Sequence, residues 1–168
     1  MNYPVKTIDI ELAIMREMKF LQNVIVPNIS EMTGFLHFET DMVVLSTAGY
    51  ATGFEIKVSK SDLKADFKKD QHVRTNDLFK GEYWFKYYYG KFKYFYYAVP
   101  EFLLEDALKL VPETFGVYYL DENNRLKAAR DSKELFRYKW TDGERANLMR
   151  LGVMRIYTLK KSLAKLSR

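Results

Sequence analysis

The sequence predicts an α/β (α+β) fold, a single domain in which a mixed central β-sheet is flanked by helices, and three observations carry that expectation. Stretches with apolar residues at three- and four-residue steps alternate with short runs rich in aromatic and β-branched residues. Their order, α-β-β-α-β-α-β-β-α, is that of helices laid over a sheet rather than of a bundle or a sandwich. The chain has 168 residues, one domain's worth, and neither an internal repeat nor a low-complexity linker divides it.

Residues 6–22, KTIDIELAIMREMKFLQ, place Ile8, Leu12, Met15, Met18 (or Phe20) and Leu21 on one helical face. Pro27 in VIVPNIS breaks that stretch. FLHFETDMVVLS reads as extended from Phe35 to Leu45, TAGYATG as a turn with two glycines, and GFEIKVS as a second strand. SKSDLKADFKK is a helix capped by Ser59 or Ser61, with Leu63 and Phe67 four apart on one face. Residues 73–93 read as a long connection rich in aromatics and lysine, and YFYYAVP as a strand ended by Pro100. EFLLEDALKLV gives a short helix and GVYYLDENNRLKAA a hairpin around Glu122-Asn123-Asn124. The final helix, 141–166, carries a stripe of Leu148, Leu151, Leu159, Leu163 and Leu166. Residues 1–140 are expected to form the main domain, and 141–168 a basic helical extension packed on it.

Composition narrows the function. The absence of cysteine excludes disulfides, thiolate zinc sites and a cysteine nucleophile. Two histidines, His37 and His72, leave little room for a multi-histidine centre, so any metal is expected to be a hard ion held by carboxylates. The longest uncharged run, Met42 to Phe54, has 13 residues, well short of the ~18 that a membrane span needs. The start lacks a basic stretch followed by an apolar one, and the expected location is the cytoplasm. Charge is divided unevenly: residues 125–168 hold 13 Lys/Arg against 4 Asp/Glu, whereas residues 1–124 hold 14 against 18. A net of +9 beside a net of −4 suits a polyanionic ligand, and it also describes a solvated basic helix.

The residues with the most chemistry flank TAGYATG. If the two strands pair antiparallel about a turn centred near Ala48 or Gly49, Asp41 falls opposite residues 56–57. Alternation along a strand puts Glu55 and Lys57 on one face and Ile56 on the other, so Asp41 can meet both. Two carboxylates and the Ile56 carbonyl are hard oxygen ligands of the type Mg²⁺ prefers. A lysine beside a metal-activated water can orient it, take its proton if its own pKa is lowered, or neutralise charge on a phosphate. An exposed strand with a surface salt bridge presents the same trio, since Glu-x-Lys alternation is common there.

D-M-V-V-L-S followed by G-F-E-I-K-V-S-K-S-D-L resembles the core motif of the PD-(D/E)XK nuclease superfamily, an acid on one strand and (D/E)-x-K on the next. The longer run ETDMVVLSTAGYATGFEIKVSKSDLKADFKK, with YYAVP at 96–100 and VPETFGVYYLD at 111–121, resembles a small bacterial and phage branch related to MmcB-like DNA-repair proteins. The likeness is good over residues 31–121. It implies a restriction-endonuclease-like core, Mg²⁺ (or Mn²⁺) held by Asp41, Glu55 and the Ile56 carbonyl, and Lys57 as the catalytic lysine. Glu39 matches the first acid of E-x-D, and an acid of the first helix, Glu11 or Glu17, is the further auxiliary candidate. The position before the first acid, nominally proline, is Thr40 here. The implied activity is metal-dependent DNA phosphodiester hydrolysis, leaving a 5′-phosphate and a 3′-hydroxyl, in repair, replication or phage DNA handling. The alternative is a catalytically silent nucleic-acid-binding or adaptor protein that keeps the fold.

DNA contacts are expected from Ser59, Lys60, Lys64 and Lys68, where helix N-terminal amides can approach a phosphate. Asp62 and Asp66 read as helix-start and face charges, and His72 as a solvated histidine. In the tract 83–97, 11 of 15 residues are aromatic. Interleaved with Lys86, Lys91 and Lys93, these rings suit a single-strand stacking surface, and they suit equally two strands packing a core. For 94–97, which run into AVP, the core reading is preferred. Arg150, Arg155 and Lys161 on the final helix can lie along a duplex backbone. That helix can equally dock on a partner or make a homodimer.

Overall fold

Six strands lie side by side in chain order in one mixed sheet: β1 (Val24–Ile29), β2 (Thr40–Leu45), β3 (Ala51–Ile56), β4 (Phe92–Pro100), β5 (Gly116–Leu120) and β6 (Leu126–Arg130). The computed structural model describes residues 5–29 and 36–166. The β1–β2, β2–β3 and β5–β6 pairs are antiparallel, whereas β3–β4 and β4–β5 are parallel. Parallel neighbours need crossovers, and helices supply them: α2 (Lys60–Asp66), α3 (Asp70–Thr75) and α4 (Gly81–Tyr89) join β3 to β4. A turn of 3-10 helix at Glu101–Leu103 and α5 (Leu104–Leu110) join β4 to β5. Helix α1 (Thr7–Glu17) precedes the sheet and α6 (Asp142–Leu166) follows it. The architecture is the expected single α+β domain.

Alternation along the strands sorts the core into two layers. Val43, Leu45, Ala51, Phe95, Tyr97 and Val99 face a cluster that includes Leu63 of α2, Tyr88 and Tyr89 of α4 and Leu148 of α6. Met42, Val44, Phe54, Ile56 and Ala98 face the other side, where α1 contributes Ile10, Ala13 and Ile14. Aromatic rings fill the first layer at close range, with Tyr89 and Phe95 edge-on at 5.2 Å and Phe95 and Phe115 tilted at 5.4 Å. Gly53 is required there, because a Cβ would sit 2.5 Å from the Phe95 ring.

Several expectations need correction. The first helix ends at Glu17, and Lys19 with φ 53° turns the chain away. Pro27 lies inside β1, opposite Met42. Because β1 is the sheet's edge strand, a residue without an N–H is tolerated there. Strand β2, in the segment expected to be extended from Phe35 to Leu45, begins at Thr40, and Phe35 lies outside the described residues. Residues 73–93 are not a bare connection, since they contain the second half of α3, the whole of α4 and the start of β4. Tyrosine-rich sequence has strand propensity, but packing Tyr88 and Tyr89 into the core overrides it.

Candidate active site

The turn between β2 and β3 sets the register on which the candidate site depends. Gly49 adopts φ 88°, and Ser46 and Tyr50 close the turn through a Ser46 N–H to Tyr50 carbonyl bond of 3.0 Å. The ladder pairs Leu45 with Ala51 and Met42 with Phe54, so it is centred on Ala48. One step further brings Asp41 opposite Glu55 rather than residues 56–57. Asp41 is in phase with Val43 and Leu45, and Glu55 with Ala51, so both face the layer that holds α2 and α3. The carboxylate of Asp41 accepts the backbone N–H of Ile56 at 2.7 Å, which ties the end of β2 to β3. Lys57 continues the parallel ladder by donating its N–H to the Ala98 carbonyl at 3.0 Å, and its side chain returns to the face of Glu55.

Around these residues lies a buried polar cluster. Lys57 Nζ is 2.7 Å from Glu55 Oε1 and 3.1 Å from Asp66 Oδ1. Lys69 Nζ bridges the same two acids at 3.2 and 2.7 Å. Asp66 Oδ2 accepts the Tyr97 hydroxyl at 2.7 Å and lies 3.2 Å from His72 Nε2. A carboxylate only accepts, so the His72 proton sits on Nε2 in this arrangement. Tyr97 is the register partner of Glu55 on β4. Glu55, Lys57 and Asp66 are 3%, 4% and 1% exposed, whereas Asp41 is half-buried and Lys69 exposed. The cluster therefore opens to solvent through Asp41 and Lys69.

Burial and crowding sort the protons. Burial and the neighbouring Asp41 push the Glu55 carboxyl up to about 8. Asp41 is raised by its own burial, against the Ile56 N–H and the charge of Lys57. Burial also acts to raise Asp66, but His72, Lys57, Lys69 and Tyr97 together hold it well below the usual carboxylate range. Burial disfavours the Lys57 ammonium, yet Glu55 and Asp66 outweigh it and raise the pKa above the ordinary lysine value. Lys57 thus stays an ammonium near neutral pH, and a proton-accepting lysine is not what this geometry favours.

A hard divalent cation fits the chemistry of this donor set. Glu55 Oε2 is buried with no hydrogen-bond partner, so one carboxylate oxygen is left over after Lys57 and Lys69 have taken the other. Exchanging the Glu55 proton for a cation would satisfy it. Asp41 across the strand pair and the Ile56 carbonyl are the other oxygen donors within these strands. Among the described residues no three acidic, cysteine or histidine side chains are grouped so as to hold a metal ion.

The other expected residues divide by place. Glu11 of α1 is half-buried, and burial with the charge of Asp41 raises its pKa, so it lies within electrostatic reach of Asp41. Glu17 instead lines a surface pocket with Arg16 and Arg125 near the β5–β6 turn. Glu39 is exposed just before β2. Ser59 caps α2 by accepting the Asp62 N–H at 3.2 Å, so its hydroxyl is already engaged. Lys60 pairs with Asp106 at 2.7 Å, while Lys64, Lys68 and Lys86 are exposed. Lys91, expected at DNA, is bound to Glu144 of α6 at 2.6 Å. Arg155 donates to the Asn28 carbonyl and holds α6 on the sheet edge, leaving Arg150 and Lys161 exposed.

Sequence reasoning missed Asp66, His72 and Tyr97. His72 is buried, not solvated. The signal for Asp66 was its spacing, three residues after Leu63 on the inward face of α2. Tyr97 alternates in phase with Phe95 and Val99, which marks it as inward. Nothing local marks His72, whose partners lie 6 and 25 residues away.

Among solved structures, the chain is similar to a protein of unknown function from Silicibacter pomeroyi. The TM-score is 0.58 and the identity 17%, over 94% of this chain and 90% of that one. At that identity the likeness concerns the fold alone. No protein-family model matches the chain, and no curated protein does.

Proposed function

We propose that this protein is a metal-dependent deoxyribonuclease that hydrolyses phosphodiester bonds, with Asp41, Glu55 and Lys57 at its centre. The observation that carries the reading is the buried Glu55 carboxyl group, its pKa raised by burial and Asp41, with Oε2 unpartnered and Oε1 fixed by Lys57. Asp41, Glu55 and the Ile56 carbonyl would hold Mg²⁺ or Mn²⁺, with Glu11 as the auxiliary acid in reach. A bound divalent ion supplies Lewis-acid stabilisation of phosphate charge and makes water more acidic. Lys57, kept charged by Asp66, orients the attacking water and offsets charge building on the phosphate oxygens. Water adds at phosphorus and the 3′-oxygen departs as a hydroxyl, leaving a 5′-phosphate. Exposed Arg150 and Lys161 on α6 and Lys64 and Lys68 near the cluster would neutralise the DNA backbone.

One observation favours a second reading, a nucleic-acid-binding protein that retains the fold without the chemistry. Glu55 and Lys57 are almost completely enclosed, so a phosphate reaches them only from the side of Asp41 and Lys69. Cleavage of supercoiled, linear, single-stranded and branched DNA with Mg²⁺ or Mn²⁺ decides between the two. Wild-type cleavage that disappears in both Glu55→Gln and Lys57→Ala is expected. Absence of wild-type cleavage with either metal, or equal cleavage by the variants, overturns the enzyme reading.

A further inference from the structure

Helices α3 and α4 form a hairpin whose outer side the proposed chemistry does not use. Helix α4 divides its rings between two surroundings. Tyr88 and Tyr89 are buried in the core, whereas Tyr83 and Tyr87 are 63% and 40% exposed. The Tyr83 and Tyr87 rings lie 6.4 Å apart with planes 21° apart, and His37 stacks on Tyr87 at 3.9 Å and 19°. Three nearly parallel rings thus line one side of a groove of about 500 Å³. Trp84 stands edge-on to Tyr87 at 5.5 Å, with the Arg74 guanidinium 4.5 Å above its face.

We propose that this groove binds single-stranded nucleic acid, with unpaired bases stacked on Tyr83, Tyr87 and His37 and the backbone held by neighbouring cations. This deepens the nuclease reading and rests on it for the identity of the substrate. The occupant follows from ring geometry and charge together. His37 and Tyr87 cover one face of each other at 3.9 Å; the ring faces left over can take bases of any sequence, and paired bases inside a duplex cannot reach them. Residues 60–93 carry 9 Lys/Arg against 5 Asp/Glu; Lys60, Lys69, Lys91 and Lys93 are held in ion pairs, and Lys64, Lys68, Lys80 and Lys86 are exposed. Exposed Lys80 and Lys86 flank the rings on the same hairpin, and Arg74, ion-paired with Asp70 at 3.1 Å, lies within the groove.

The groove also leads toward the candidate site. Helix α3 buries His72 on one side, where it joins the cluster, and lines the groove with Asp70, Gln71 and Arg74 on the other. His37 precedes Asp41 by four residues, a span of at most about 14 Å of extended chain. A strand stacked in the groove is therefore delivered beside Asp41, the open side of the cluster.

The test separates binding from cleavage. A fluorescein-labelled oligothymidine and a duplex of equal length are titrated with the full chain in EDTA, by anisotropy and by quenching of tryptophan fluorescence. Tyr83→Ala combined with Tyr87→Ala is expected to weaken single-strand binding by roughly tenfold per ring while leaving duplex affinity unchanged. Tyr87→Phe is expected to bind as wild type, because stacking needs the ring and not the hydroxyl. Tyr83→Ala alone, at the more exposed ring, keeps the comparison if the double variant melts early. Unchanged single-strand affinity in the alanine variants overturns the proposal and assigns the groove to another partner. Equal weakening for both DNA forms overturns it too. Ring-dependent binding by a protein that cuts no DNA supports the groove and sinks the nuclease reading, whereas cleavage with ring-independent binding does the reverse.

Discussion

Glu55 shares two ammonium groups with Asp66 and faces Asp41, so its proton decides the charge balance of the cluster. In the unfolded chain it titrates near 4.5, and in the fold at about 8. Between those values the native state binds one proton more than the unfolded state, so this group lowers stability as pH rises, by about 1.4 kcal/mol per pH unit. Its stabilisation is complete below the unfolded value and gone above the folded one. In EDTA, the melting temperature of the wild type is expected to fall relative to that of Glu55→Gln between about pH 5 and pH 8. Parallel curves would mean that Glu55 is ionised throughout. Lys57 gives the complementary case. Removing it strands none of its partners, because Asp66 keeps Lys69, His72 and Tyr97. Lys57→Ala should therefore fold, bind DNA nearly as the wild type does, and cleave about 100-fold or more slowly at saturating DNA. A matching loss of affinity in binding titrations would make Lys57 a phosphate-binding group instead.

At the scale of elements, α2 brings Asp66 under Lys57, and its side-chain cap is Ser59. Ser59→Ala is expected to lower stability by about 1 kcal/mol in urea titration. It should slow cleavage as well, since the first turn of α2 fixes the depth of Asp66. The hairpin β2–β3 and the helix after it were legible in the sequence, because alternation, glycines and an N-cap serine are local signals that all agree there. The trio Asp41, Glu55 and Lys57 could be placed on one face for that reason, with the ladder one position off. The cluster around it was not legible. Asp66, His72 and Tyr97 meet only because α2, α3 and β4 stack over one another, and no local pattern encodes that stacking. β1 was hidden by Pro27, whose prohibition in strands lapses at an edge. Helix α4 was hidden by a composition that favours strands and yields to tertiary packing.

Over the whole molecule, the basic C-terminal third divides its exposed cations between the segment before α6, with Arg125, Lys127, Lys133, Arg137 and Lys139, and the helix itself. Several interactions fix the start of α6: Lys91 with Glu144, the Trp140 indole N–H to the Lys91 carbonyl at 2.9 Å, and Leu148 in the core. Arg155 and Gly152 then seat the helix on β1, where a Cβ at Gly152 would meet Val26 at 3.3 Å. Beyond that point every described residue of the helix is exposed, Lys160, Lys161 and Lys165 among them. Arg155 is thereby removed from the set that can hold DNA, whereas Arg150 and Lys161 remain, and exposed Lys165 joins them as a third cation to replace. If the proposed duplex binding runs along this face, glutamine at all three should weaken binding to every sequence alike. The slope of log affinity against log salt should become shallower by about 0.9 for each phosphate that is no longer neutralised, while the cleavage rate at saturating DNA holds. If α6 serves instead to pair two copies of the chain, exposed Ile156 and Leu159 are the relevant residues. Polar replacement of those two would then halve the sedimentation mass, and the charge variant would keep the wild-type salt slope. Stability should barely change in the charge variant, because none of its three side chains is buried. An unaltered salt slope together with an unaltered melt therefore assigns duplex binding to another face, with the cations of α2 to α4 as the next set to neutralise.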